Sequence, residues 1–229
     1  MSDDLIFREV DEDLRQELLQ KLWKKYAALI VAAAVLIVTG VAGYKGWTWY
    51  QARQAANSGA RFEAALQLAQ QGREADALKS FEELTRSGSG GYPVLARFAA
   101  AAAKARSGDR DGAVADYEAL AAAAGDPVLR DLARVKAALV LVDTASYQSL
   151  KDRLAGVTEE ANPWRNSAWE ILGLAAYREG NIDAAAEAFE TISADLGAPQ
   201  ELRQRADMML TLIAPDRRAA AAAGSGAAQ

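Results

Sequence analysis

From Tyr26 to Tyr44 the chain runs nineteen residues without a charge, bounded by Lys24 and Lys25 before it and by Lys45 after it. A helix rises about 1.5 Å per residue, so this run nearly crosses the ~30 Å hydrocarbon core of a bilayer. It has no polar stripe, which a helix packed on a soluble core would show. Trp23 and Tyr26 stand at one end, and Tyr44, Trp47, Trp49 and Tyr50 at the other; aromatic side chains favour both membrane interfaces. Gly40 and Gly43 weaken a helix in water but are common in spans, and they do not form a G-x-x-x-G pair that would mark a dimer. Lys45 reads as a residue whose stem lies along the apolar end while its charge reaches the interface.

The pattern before the run is different. Leu5, Ile6, Phe7, Val10, Leu14, Leu18 and Leu22 recur at helical steps between charged residues, which predicts an amphipathic helix over 1–25 with Ser2 or Asp3 as its cap. Such a helix could lie on the membrane, self-associate or meet a cytosolic or translocon partner. Its acid-rich polar face argues against strong attachment to anionic lipid. Seven acids and five bases precede the span, unlike the short basic start of a cleaved signal, although Val41–Gly43 would pass for a small-residue cleavage site. The segment 26–50 is therefore read as an uncleaved transmembrane anchor with its interface. Lys21, Lys24 and Lys25 crowd the N-terminal entrance, which keeps the N-terminus in the cytoplasm and exports the rest.

Beyond the anchor the pattern becomes periodic. Gly72, Gly108, Ala145 and Gly180 are separated by 36, 37 and 35 residues. Five residues later stand Ala77, Ala113, Leu150 and Ala185, and four further on Phe81, Tyr117, Leu154 and Phe189. Pro93, Pro127, Pro163 and Pro199 keep nearly the same spacing, each near an expected helix start. Every unit reads as helix, turn, helix, with the small and large residues on one face of the second helix. One helix pair cannot bury its apolar face alone, so the units must stack. The expected fold is all-α: a single N-terminal transmembrane helix, then a solenoid of four degenerate repeats over 51–197. A capping helix over 198–214 follows, with Leu202, Met209 and Leu212 turned inward, and then a disordered Ala/Gly tail over 215–229.

Composition narrows the chemistry. The chain has no cysteine and no histidine, which removes disulfides, thiolate metal sites and the Ser-His and Cys-His nucleophile arrangements. A net charge of −5 gives no basic face for nucleic acid. Glu159 and Glu160, before Asn162-Pro163, lack calcium-loop spacing and read as a solvated turn. No constellation for catalysis, metal or cofactor emerges, so neither an enzyme nor a cofactor is expected.

The stretch WEILGLAAYREGNIDAAAEAFETI carries Trp169, Leu172, Gly173, Ala185 and Phe189 at W-x-x-L-G and later A-x-x-x-F spacing, and resembles the tetratricopeptide repeat. The whole layout, IFREVDEDLRQE…LWKKY, one anchor and degenerate repeats, is similar to the YfgM-like ancillary subunits of the bacterial SecYEG translocon. The related periplasmic cell-division coordinators share this kind of repeat domain. The resemblance implies a single-pass inner-membrane protein exposing its repeats to the periplasm near translocon and chaperones.

It also implies a groove lined by the first helices of the units. The mapped positions are Phe62 and Leu66; Leu95, Phe98 and Arg106; Leu132, Val135, Leu139 and Val142; and Glu170, Leu174, Tyr177 and Arg178. This set is mostly apolar, unlike a groove that clamps a peptide carboxylate. It is either core, covered by tight winding or by the capping helix, or a cleft for nonpolar segments of polypeptide. The expected function is a non-catalytic scaffold for translocon, chaperone or client polypeptides. The alternative is an envelope or division coordinator docking one folded partner. Self-association remains open in both.

Overall fold

The computed structural model describes residues 3–226, with side chains from 23 to 218. The chain divides into two units, Met1–Ala56 and Asn57–Gln229, and among the described residues every regular element is an α-helix. From Asp3 onward the first unit is part of α1 (Asp3–Gln70), so the expected boundaries near 25 and 50 fall inside one continuous helix. The apolar side chains expected on one face of 5–22 lie outside the described residues.

Within α1 from Trp23 onward the helix is long and apolar enough to cross a membrane, and 0 % of its most apolar window is buried against protein. A core helix would be covered there. The Thr39 hydroxyl donates to the carbonyl of Val35 at 2.6 Å, which satisfies it without water. Near the two ends Lys25 lies 5.5 Å over the ring of Tyr26 and Arg53 lies 5.3 Å over that of Trp49.

The second unit stacks helix pairs. The end of α1 pairs with α2 (Glu74–Ser87), α3 (Tyr92–Arg106) with α4 (Arg110–Ala123), α5 (Pro127–Leu141) with α6 (Tyr147–Arg153), and α7 (Arg165–Arg178) with α8 (Ile182–Ala194). The last element, α9 (Gln200–Gly226), packs on α8. Pro93 and Pro127 occupy the first positions of α3 and α5, where a missing N–H is harmless.

Three turns repeat one hydrogen-bond pattern. Gly72, Gly108 and Gly180 have φ of +76°, +94° and +75°. The following N–H groups, of Arg73, Asp109 and Asn181, donate to the carbonyls of Leu68, Lys104 and Ala176. This is the Schellman closure that a left-handed glycine permits. Asp109 and Asn181 then cap the next helix by accepting from the N–H groups of Gly112 and Ala184. The third unit departs from the pattern: Ala145 has no positive φ, and its N–H donates to Leu141. Its second helix, α6, has only seven residues. An alanine at that point disfavours the left-handed turn, so the chain turns otherwise.

The small–large pairs of the second helices form the core. Ala77 with Phe81, Ala113 with Tyr117, Leu150 with Leu154 and Ala185 with Phe189 are all buried. On the first helices Ala65, Ala101, Ala138 and Gly173 are buried at spacings of 36, 37 and 35. Small residues therefore meet the large ones in every unit. At the end of the stack, Leu202, Ala206 and Ile213 of α9 are buried and Met209 packs against them. Leu212, expected inward, is instead 54 % exposed. At about 100° per residue, position 213 returns to the face of 202, whereas 212 falls some 80° away. Helical backbone continues past the expected cap boundary at 214, through Pro215, as far as Gly226. Residues 227–229 lie outside the described ones.

Candidate functional site

The mapped first-helix positions fall into three groups. Most of the apolar ones are packed. Phe62 and Leu66 are half-buried against the first core, the Phe62 ring lying 5.5 Å from Phe81 and 6.1 Å from Tyr92. Phe98 lies 6.1 Å from the Tyr117 ring, and burial pushes the Tyr117 phenol above its ordinary range. Leu132 is half-buried, Val135 is buried, and Val142 packs beside the Val135 cluster. Leu174 and Tyr177 pack against the Phe189 cluster.

The charged positions are engaged between units. Arg106 donates from Nε and Nη2 to the two carboxylate oxygens of Glu74 at 2.8 and 3.1 Å. This fork holds the Glu74 carboxyl below its ordinary range. Arg178, two units on, donates to the carbonyls of Val142 and Ala145 in the preceding turn. Glu170 accepts from Nε and Nη2 of Arg205 at 2.7 and 3.1 Å. All three side chains thus stitch one unit to the next.

Leu95 and Leu139 form the third group. They are 47 % and 48 % exposed, on the first helices α3 and α5. Val94 and Val128, at 38 % and 44 %, join them. Mapping by fixed repeat positions passed over these two valines, which stand at the beginnings of α3 and α5. Glu159 and Glu160 are exposed in the loop before α7, and among the described residues no group of three acidic side chains stands close enough to hold a metal ion.

The family model of the tetratricopeptide repeat-like domain matches residues 20–214. The chain belongs to that family. No curated protein and no solved structure matches it. As a tetratricopeptide repeat-like protein it presents helix faces for protein–protein interaction. The match begins before the apolar run, so that run and the repeats both fall within the matched residues.

Proposed function

We propose that this tetratricopeptide repeat-like protein is a non-catalytic scaffold of the bacterial inner membrane. Its repeat domain stands in the periplasm and holds partner or client polypeptides beside the protein-export translocon. The exposure of Leu95 and Leu139 on successive first helices carries the docking part: both present apolar surface while most of the other apolar groove positions are packed. An unburied leucine side chain gains on the order of 1.5–3 kcal/mol when a partner covers it. Two such contacts are weak alone, but tethering raises the effective concentration of membrane-associated clients. The uncovered apolar window of α1 supports the anchor, and the lysines at its N-terminal entrance support the orientation.

The test is photo-crosslinking in living cells from positions 95 and 139, with buried position 135 as control. Adducts with translocon subunits or with several exported chains, absent at 135, are expected. A single abundant folded envelope protein would replace the translocon reading with a dedicated coordinator, and no adduct from either leucine would overturn docking on this face. Protease added to spheroplasts should digest the repeat domain; resistance until lysis would overturn the topology.

A further inference from the structure

A cleft of about 430 Å³ opens between α4, α5 and α6, lined by Glu118, Ala121, Arg130, Arg134, Ala137 and Arg153. Its floor is alanine and its walls carry three guanidinium groups against one carboxylate. Glu118 is taken by Arg153. The other two pair with Asp131, whose Oδ1 stands 3.6 Å from Arg130 Nε and 3.5 Å from Arg134 Nη1. Its Oδ2 accepts from Asn162 at 2.9 Å. Distances of that length make poor hydrogen bonds, and Arg130 Nε is left without a hydrogen-bond partner. One carboxylate is stretched between two guanidiniums that could each hold one bidentately.

The neighbouring unit gives an internal comparison. A cleft of about 360 Å³ between α2, α3 and α4 is lined by Glu82, Arg86, Arg97, Ala100, Lys104 and Asp116. A shift of 36 or 37 residues turns Glu82, Arg97, Ala100 and Asp116 into Glu118, Arg134, Ala137 and Arg153. In the earlier cleft the chain supplies its own carboxylate: Asp116 pairs with Lys104 at 2.7 Å. In the later one that position is an arginine. Both clefts are lined by three cationic side chains, but the later one has a single carboxylate where the earlier has two.

We propose that the cleft between α4, α5 and α6 is a docking site for an extended, Asp/Glu-rich segment of a partner polypeptide. A carboxylate of the segment sits between Arg130 and Arg134 while its backbone crosses Ala121 and Ala137. A walled cleft with a small-residue floor suits a chain, whereas a flat lipid surface would reach only its rim. The chain carries −5 overall, so the attraction is local to this cleft and differs from a general basic field. This site is separate from the first-helix leucines and does not depend on them.

The experiment uses the full chain in phosphatidylcholine nanodiscs and a short fluorescein-labelled peptide of alternating Glu and Ala, compared with its Gln–Ala counterpart. The acidic peptide should bind about tenfold tighter or more, and Arg134→Gln with Arg153→Gln should remove that advantage. The melting temperature should stay in place, because half-exposed ion pairs contribute little to stability. Arg153→Gln alone, at a surface position, must still weaken the acidic peptide severalfold should the double variant melt early. Arg97→Gln in the earlier cleft should leave binding unchanged. Equal binding of the two peptides, or equal loss with Arg97→Gln, would overturn the proposal. So would a failure to bind the peptide combined with protection of Arg134 from arginine-specific labelling by phosphatidylglycerol, which would assign the cleft to lipid headgroups. Crosslinking from 95 and 139 would persist in every one of these cases.

Discussion

Gly173 and Phe189 share one space: a Cβ added to Gly173 would stand 2.8 Å from Cζ of the Phe189 ring. The ring lies in the core formed by α7, α8 and α9 and is 1 % exposed. In the other three units alanine occupies the corresponding place, at Ala65, Ala101 and Ala138, whereas the W-x-x-L-G stretch supplies glycine here. Two effects oppose each other in Gly173→Ala. Helix propensity favours alanine by about 1 kcal/mol, whereas overpacking a rigid core costs about 1–3 kcal/mol. Packing should win, because the ring has no free side to move to. Urea unfolding is expected to show a net loss of about 1 kcal/mol, and Phe189→Leu in the same chain should recover part of it. A stabilised Gly173→Ala protein would refute the close approach.

The repeat turns give a sharper contrast. Gly180→Ala forces a side chain into the left-handed region and should destabilise by about 1–2 kcal/mol, whereas Ala145→Gly should stabilise nothing, since Ala145 is not left-handed. Thermal melts of the two variants check this.

Leu95→Asp with Leu139→Asp places charges on side chains already about half exposed, so melting should shift by no more than about 0.5 kcal/mol equivalent while crosslinking is lost. Val135→Asp, at a site 5 % exposed, buries an unpaired charge and should abolish folding. Equal damage from both changes would mean that the leucines are core.

Acid should loosen the fourth unit through Asp195. Its carboxylate accepts from Asn166 Nδ2 at 2.7 Å and from the Gly197 N–H at 2.8 Å, and pairs with Arg165. The Asn166 bond, then Gly197 and Arg165, holds the carboxyl below its ordinary 3.8. A lowered folded pKa means that the stabilisation is fully present above the ordinary value and is lost as pH falls through the folded one. Between about pH 5 and pH 3 the wild-type melting temperature should therefore drop further than that of Asp195→Asn. Parallel curves would remove Asp195 as the cause.

The period of 36, 37 and 35 residues was enough to place the turns, the small–large pairs and the stacking. Each of these is a local requirement: a glycine where φ is positive, an alanine where helices touch, an aromatic where they would otherwise leave a void. The uncharged run was legible for the same reason, since hydrocarbon demands an unbroken apolar length. Which first-helix side chains stay open was decided elsewhere. Arg106, Glu170 and Arg178 occupy groove positions in the repeat pattern, yet each finds its partner in a neighbouring unit, at Glu74, at Arg205 and at the carbonyls of the preceding turn. Leu95 and Leu139 are set apart from equally apolar Val135 only by how adjacent helices cover them. The cleft of Arg130, Arg134 and Arg153 likewise arises from three helices meeting. Periodicity fixes what each residue does within its own helix pair; contacts between pairs fix which surfaces remain for a partner.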